Sequence, residues 1–278
     1  AGVGIYGELA EVSREDHEQV FRTNYFGVVN GSLEALKHFR SRGGPGALIN
    51  IGSILSDAAA PLMGPYVASK HAVKGFTDSL RMELKRASAP VSVTLIKPSS
   101  IGTPFADHAK NYMDERPSIP PPVYAPDVVA DAICYAATHP MRHITVGAGG
   151  RQLVLSSKAA PNLADKLFAL VIPPLQRRPG VKPASDNLYE PGDDGYAEGE
   201  GFRGRRVSVY TQTQKHPGLT LGLGAVAVVG LAAFLGRGHL KAAARPLLAR
   251  AVRRHPRLAW RTVLRHPRQA ARIVAALR

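Results

Sequence analysis

The sequence has little cysteine, and its C-terminal quarter has no acidic residue. A single cysteine, Cys134, stands among 278 residues, which excludes a disulfide framework and a cysteine-rich zinc site. We predict no metal site, and Cys134, in an apolar run, is predicted to be a small buried side chain. Hydrophobic residues make up 45% and charged residues 21% of the chain, so the composition excludes general disorder and a collagen-like repeat.

Charge is distributed unevenly along the chain. The net charge of +15 comes from 36 Lys and Arg residues against 21 Asp and Glu residues. Residues 203–278 hold 16 of the basic residues and none of the acidic ones, whereas residues 1–202 are close to neutral. The sequence therefore indicates a neutral body with a basic tail, not a nucleic-acid-binding protein throughout.

Strand and helix signals alternate along the body. Ser13 is a predicted N-cap, and the apolar spacing after it predicts one helix that ends at Gly43-Gly44. Buried parallel strands are predicted at three short apolar runs, residues 47–51, 91–96 and 143–146. Further helices are predicted at residues 66–87, 126–137 and 162–172. This order predicts an α/β fold with a parallel sheet, followed by a helical C-terminal tail.

Composition divides the chain into four parts. Residues 1–176 are the predicted catalytic domain, and residues 177–218, rich in glycine and charge, are a predicted linker. Residues 219–235 carry no charge, and residues 236–278 form a basic amphipathic tail. Within the domain, the proline-rich residues 98–126 follow a strand end and are predicted to be a substrate lid, the alternative being a structural loop.

Tyr66 and Lys70 form a candidate acid–base pair. They are four residues apart, so on a helix they share one face about one turn apart. A phenol has a reference pKa of about 10, and a cation held beside it lowers that pKa. The pair is therefore predicted to donate or accept a proton near physiological pH.

Ser53 extends this pair into a candidate site. It stands thirteen residues before Tyr66, just past the strand predicted at residues 47–51. A hydroxyl at the carboxyl end of a parallel strand can face a ligand and share a substrate oxygen with the phenol.

The order of these motifs resembles one known family. The run Asn50-Ile51-Gly52-Ser53 is followed by Tyr66-x-x-x-Lys70 and then by residues 97–103, K-P-S-S-I-G-T. Together, over roughly residues 1–147, they resemble the short-chain dehydrogenase/reductase family. The resemblance implies an oxidoreductase that uses NAD or NADP to interconvert a carbonyl and a secondary alcohol by hydride transfer. The alternatives are a non-catalytic fragment and a binding module that acts through the basic tail.

The resemblance implies a role for each matching residue. Tyr66 is implied to be the acid/base, Lys70 to lower its pKa and hold the nicotinamide ribose, and Ser53 to polarise the substrate oxygen. Asn24 matches the helix asparagine that supports a water relay to the lysine. Contacts with the cofactor are implied for Gly2, Asn24, Tyr66, Lys70, Pro98, Ser99, Ile101 and Thr103. An apolar substrate pocket is predicted around Met63, Pro104, Phe105 and Tyr112.

Two residues depart from the family pattern, and one element is absent. Gly52 stands where many members carry serine, and Ser99 where most carry glycine. Ser99 is predicted either to narrow the approach of the nicotinamide or to be tolerated. The family's Gly-rich phosphate loop, T-G-x-x-x-G-x-G, would precede Ala1-Gly2 and is not in the sequence. We therefore expect a truncated member with a partial doubly wound parallel sheet, Rossmann-like, that lacks the N-terminal dinucleotide-binding half and is inactive by itself.

The tail is interpreted in two ways. Seventeen uncharged residues, 219–235, precede an acid-free basic segment, which favours contact with an anionic membrane, as a span or at the interface. The alternative is that the basic tail binds the phosphates of nucleic acid. This is less favoured, because the tail lacks interleaved aromatic residues. We expect a cytoplasmic protein that associates with membranes through residues 219–278 and takes a small apolar carbonyl or alcohol substrate. Formation of a homo-oligomer is compatible with the sequence.

Overall fold

The computed structural model describes residues 2–181, 183, 185–192, 196–199, 201, 203–216 and 218. The chain divides into two compact units, Ala1–Gln212 and Thr213–Arg278. The first unit carries the predicted catalytic domain. The predicted membrane segment and basic tail, residues 219–278, lie outside the described residues.

The elements follow the predicted alternation. The strands are β1 (Ile5–Tyr6), β2 (Gly46–Ile51), β3 (Val91–Pro98), β4 (Lys110–Asn111), β5 (Arg116–Pro117), β6 (His143–Val146) and β7 (Arg177–Arg178). The helices are α1 (Arg14–Phe21), α2 (Gly27–Arg42), α3 (Gly64–Arg86), α4 (Phe105–His108), α5 (Pro126–Thr138), α6 (Ala148–Ala159), α7 (Pro161–Leu175) and α8 (Val209–Lys215). Helix α6 follows β6 directly and has no counterpart in the sequence prediction.

A parallel sheet of order β2-β3-β6 forms the centre of the first unit. Leu48 and Val93 on one face pack against α2 and α3, while Ile96 and Ile144 pack against α5 on the other. Because helices cover both faces, the strands are apolar nearly throughout. The fold is a Rossmann-like α/β fold, as predicted.

Helix α5 corrects the prediction for Cys134. Ala132 and Ala136, four residues apart, occupy the buried face of this helix and are fully buried. Cys134 lies between them on the opposite face and is exposed. The apolar run around it is therefore only half buried.

The first predicted helix is interrupted by a π-helical turn. Ser13 caps α1 as predicted, since its Oγ accepts a hydrogen bond from the backbone N–H of Asp16 at 3.2 Å. Residues Arg22–Phe26 then form the π-helical turn before α2 begins. Turns of this kind contain one extra residue and often occur at functional sites. Asn24 is the buried residue of this turn.

The C-terminal extension, defined as residues 177–212, packs against the rest of the first unit. Leu188 is 2% exposed and lies in an apolar cluster with residues of β1 and α1. The buried carboxylate of Asp16 accepts hydrogen bonds from the hydroxyls of Tyr112 and Tyr189, each at 2.6 Å. The backbone N–H of Arg205 donates to the carbonyl of Val123 at 2.9 Å. Of the linker predicted over residues 177–218, the part up to Gln212 therefore belongs to the first compact unit.

The proline-rich connection, residues 98–126, has short elements of its own. Helix α4 and strands β4 and β5 lie in it, and β4 pairs in parallel with β1. Strand β5 pairs antiparallel with β7 of the C-terminal extension. In the described part of the chain, no helix combines the length and apolar character that crossing a membrane requires.

Candidate active site

Ser53 lies where β2 ends and the chain turns toward α3. The 3-10 turn Ile54–Ser56 is closed by reciprocal bonds. Ser53 Oγ accepts from the N–H of Leu55, and Ser56 Oγ accepts from the N–H of Ser53, both at 3.1 Å. The turn therefore fixes the Ser53 hydroxyl in place.

The glycine at position 52 is explained by the same turn. A Cβ on Gly52 would lie 3.0 Å from Ser56 Oγ and 3.1 Å from Leu95 Cδ1. Both approaches are tighter than ordinary contacts, so the absence of a side chain leaves room for Ser56. This departure from the family pattern therefore supports the position of Ser53.

Tyr66 and Lys70 lie one turn apart on α3, as their spacing predicts. The Ser53 hydroxyl is close enough to the Tyr66 phenol to favour its ionised form. The Lys70 ammonium lies 5.5 Å from the centroid of the Tyr66 ring and donates to the carbonyl of Ile51 at 3.1 Å. The structure thus brings together the hydroxyl, phenol and ammonium that the sequence predicts for the site.

Burial shifts the pKa values of both Tyr66 and Lys70. It raises the pKa of Tyr66 to about 12, and the nearby Ser53 side chain opposes the shift without cancelling it. Burial also lowers the pKa of Lys70 to about 8. The prediction that Lys70 brings the phenol pKa below its ordinary value is therefore wrong for this structure: the ammonium faces the ring, and desolvation prevails. At neutral pH the Tyr66 phenol is therefore protonated.

Replacing Lys70 with methionine is expected to stabilise the fold at neutral pH, but not in alkali. Unfolded lysine titrates at about 10.4, whereas the pKa of folded Lys70 is about 8. Below pH 8 folding bears the full cost of burying the charge. Between about pH 8 and 10 the folded lysine loses its proton first, so the cost falls as pH rises. We expect urea denaturation to show a gain of about 2 kcal/mol at pH 7 and less than about 1 kcal/mol at pH 9.5.

Lys74→Met is the matched control for this experiment. Lys74 is on the same helix and forms an ion pair with Asp78 at 3.0 Å, but its side chain is 35% exposed. No comparable gain is expected from it. An equal gain for Lys70→Met at both pH values would contradict the explanation by buried charge.

Asn24 joins the start of the chain to α3. Its Oδ1 accepts from the N–H of Val3, and its Nδ2 donates to the carbonyl of Val3, both at 2.9 Å. Nδ2 also donates to Ser69 Oγ at 3.1 Å, and this hydroxyl donates to the carbonyl of Tyr66 at 2.8 Å. A Cβ on Gly2 would lie 3.7 Å from Asn24 Oδ1, an ordinary contact. Asn24 therefore positions both Gly2-Val3 and the helix turn that bears Tyr66. The predicted water relay stays a prediction.

The loop after β3 holds the remaining residues predicted to contact the cofactor. Pro98 ends the strand, the N–H of Ser99 donates to the carbonyl of Val146 at 2.9 Å, and Ile101 is bridged to Tyr124. Thr103 is half-buried. The loop is thus fixed to β6 and to residues further along the chain.

Ser99 is accommodated by a glycine across from it. A Cβ on Gly147 would overlap Ser99 Oγ, and Gly147 has a φ of +101° that favours glycine. The Ser99 hydroxyl is buried and has no hydrogen-bond partner in the described structure. The sequence analysis left two alternatives for Ser99, a narrower approach for the nicotinamide or a serine that the fold tolerates. The side chain points toward the start of α6, which agrees with the second.

A buried ion pair, which the sequence did not reveal, links the two loops of the site. Lys97 Nζ lies 2.5 Å from Asp57 Oδ2, and both side chains are less than one-tenth exposed. Asp57 ends the turn that begins at Ser53, and Lys97 directly precedes Pro98. In the sequence Lys97 opens the K-P-S-S-I-G-T run and Asp57 lies between Ser53 and Tyr66, and no local pattern connects the two.

Apolar side chains surround the phenol. The rings of Tyr66 and Phe105 are 5.2 Å apart, and Met63 belongs to the same buried cluster. Tyr112, also predicted for the pocket, instead packs beside Val3 and Ile5 and bonds Asp16. Among the described residues there is no group of three or more His, Cys, Asp or Glu residues that could hold a metal ion.

Comparison with known proteins agrees with this geometry. The family model described as short chain dehydrogenase matches residues 1–113. The oxidoreductase YxnA of Bacillus subtilis is 37% identical over 239 residues, which are 84% of this chain and 66% of the relative. The chain belongs to the short-chain dehydrogenase/reductase family.

Other members of the short-chain dehydrogenase/reductase family are also similar. The oxidoreductase YbbO of Escherichia coli is 33% identical over 49% of this chain and 51% of its own length. A short-chain dehydrogenase from Burkholderia cenocepacia, solved in complex with NADP, aligns with a TM-score of 0.51 at 27% identity, over 60% of this chain and 65% of that one. The chain thus spans between half and two-thirds of the length of these relatives.

Proposed function

We propose that the whole protein is an NAD(P)-dependent oxidoreductase that interconverts a carbonyl and a secondary alcohol. The observation that carries the proposal is the convergence of Ser53, Tyr66 and Lys70 at the carboxyl end of β2. Family membership supports the same chemistry.

The residues present fit the nicotinamide end of such a cofactor. An ammonium has three N–H donors, and the one bond found for Lys70 uses one of them. The others can hold ribose hydroxyls beside Tyr66. We assign the loop from Pro98 through Ser99 and Ile101 to Thr103, together with Gly2 and Asn24, to the nicotinamide side. NAD and NADP are both compatible, and the Burkholderia relative was solved with NADP.

The proton chemistry follows from the protonation states of the site. The cofactor, when bound, supplies or accepts the hydride. Ser53 donates a hydrogen bond to the substrate oxygen, and Tyr66, protonated at neutral pH, gives its proton to that oxygen in the direction of reduction. Phe105 and Met63 exclude water from the reacting carbon. A small apolar carbonyl or alcohol suits these surroundings.

The remaining proposals rest on the sequence. We propose a cytoplasmic location, since nicotinamide cofactors are found there, with residues 219–278 attracted to anionic lipid. Nucleic acid is the less favoured partner, and a homo-oligomer is compatible with the sequence. Flotation with anionic liposomes, compared with retention of duplex DNA, distinguishes the two partners of the tail.

Replacing Ser53 with alanine tests the proposed function. We expect kcat for carbonyl reduction by the whole protein to fall about a hundredfold with little change in KM, because the hydroxyl acts mainly on the developing charge. The measurement is the loss of reduced nicotinamide absorbance with a panel of apolar ketones. Ser53→Thr keeps the hydroxyl and should recover part of the rate.

Ser32→Ala provides the structural control. Its buried hydroxyl donates to Asn50 Oδ1 at 3.2 Å, so its loss perturbs the core without touching the site. It should alter stability slightly and kcat hardly at all. If wild-type protein oxidises no reduced nicotinamide with any ketone, or Ser53→Ala retains full kcat, the proposal fails.

A further inference from the structure

Helix α7 presents an apolar face to solvent. Leu163, Leu167, Leu170 and Val171 are each about half exposed or more, and Leu170 reaches 73%. Their spacing of four, seven and eight residues from Leu163 places them along one side of the helix. Scattered exposed leucines are normal on a protein surface, but a continuous stripe over two turns indicates an interaction site.

This face is distinct from the side of α7 that packs on the protein. Ala164 and Ile172 are buried, so the helix already has its core contact. Asp165 and Lys166 occupy the remaining polar side and are exposed. Helix α7 therefore has three sides: one in the core, one polar, and one apolar and uncovered.

The charged residues of helices α6 and α7 are mainly basic. Arg151 and Lys158 of α6 and Lys166 of α7 are exposed, and Asp165 is the one acidic residue in residues 148–175. In the described structure Lys158 and Lys166 form no ion pair. Exposed lysines at the edge of an apolar face can extend toward lipid phosphates while their methylene chains stay in apolar surroundings.

Helix α6 joins this face to the active site. A Cβ on Gly150 would overlap the side chain of Ile54, so α6 packs directly on the turn that begins at Ser53. Val154 of α6 lies in one buried cluster with Met63 and Tyr6. A partner bound to the exposed face of α7 would thus be separated by a single helix, α6, from the turn that begins at Ser53.

We propose that the α6–α7 pair docks on an anionic lipid surface, with the leucine stripe of α7 in the headgroup–acyl boundary and the lysines on the phosphates. The apolar face supplies hydrophobic burial. The excess of basic residues favours anionic lipid over a second copy of the chain, because in a dimer formed through this face the lysines of the two copies would repel one another. This surface lies in the first compact unit, Ala1–Gln212. The proposal is independent of the proposed reaction, because vesicle binding is measured without cofactor or substrate.

A tryptophan placed on the stripe tests the proposal in the full chain. Trp260 is the sole tryptophan, so Trp260→Phe gives a silent background. Leu170→Trp in that background reports on α7, and Met82→Trp, at a site 61% exposed on α3, is the matched control. The probes are equimolar phosphatidylcholine–phosphatidylserine vesicles, with and without brominated phosphatidylcholine.

We expect the emission of the Leu170→Trp protein to shift to the blue with vesicles and to be quenched by brominated lipid, while the Met82→Trp protein shows neither. In the same background, Leu163→Gln with Leu167→Gln should abolish the blue shift and the quenching of the tryptophan at position 170, whatever lipid binding the tail supplies. If the Leu170→Trp protein floated with the vesicles but its emission neither shifted nor was quenched, binding would belong to the tail, and the proposal would be overturned. A blue shift that grows with protein concentration in the absence of lipid would mean a second copy, and would overturn it as well.

Discussion

Replacing Tyr66 with phenylalanine is expected to lower kcat for carbonyl reduction about a thousandfold. The substitution removes the transferable proton and leaves the ring, which packs against Phe105 at 5.2 Å between centroids. Because burial holds the pKa of Tyr66 at about 12 and that of Lys70 at about 8, the phenol keeps its proton between pH 6 and 9, and wild-type reduction should fall only above about pH 8, as Lys70 loses its proton. The measurement is steady-state turnover of the whole protein across that range.

Tyr112→Phe is the control for loss of a phenol. Its hydroxyl bonds the carboxylate of Asp16 at 2.6 Å, away from Ser53 and Lys70. We expect reduced stability and an almost unchanged kcat. Equal rates for wild-type protein and the Tyr66→Phe variant would show that another group supplies the proton.

Breaking the buried pair between Asp57 and Lys97 is expected to cost about 3–5 kcal/mol of unfolding free energy. In Lys97→Met the carboxylate of Asp57 stays buried without its cation, since both side chains are less than one-tenth exposed. Urea denaturation measures the loss. The double variant Asp57→Leu/Lys97→Met should be the more stable of the two, because neither charge is then left unpaired.

The exposed pair of Arg14 and Glu18 gives the comparison. Its side chains are 86% and 55% exposed, and pairs of this kind contribute less than about 1 kcal/mol. Arg14→Met should therefore change stability little. If Lys97→Met lost no more than Arg14→Met, the buried pair would not hold the two loops of the site together.

The local part of the site could be predicted from sequence. Tyr66 and Lys70 lie close together because four residues make about one helical turn. Ser53 lies beside them because it stands at the carboxyl end of β2, where the chain turns toward α3. The three central strands were recognisable for a similar reason, since buried parallel strands are apolar runs. Each of these signals lies within a short window of the chain.

What sequence could not predict depends on distant partners. The bond between Tyr189 and Asp16 joins residues 173 positions apart, so composition alone indicated a linker there. The pairing of Asp57 with Lys97 spans 40 positions. Likewise, the pKa of Tyr66 was predicted from its neighbouring cation, but it is set by burial, which only the folded chain reveals.

The π-helical turn at Arg22–Phe26 makes the site sensitive to the length of the chain as well as to its composition. Removing one residue there would let a regular α-helix run from α1 into α2 and rotate the preceding residues by about 100° relative to those that follow. Asn24 could not then face both Val3 and Ser69. A single deletion that spared every chemical group of the site would thus separate the first residues of the domain from the catalytic helix.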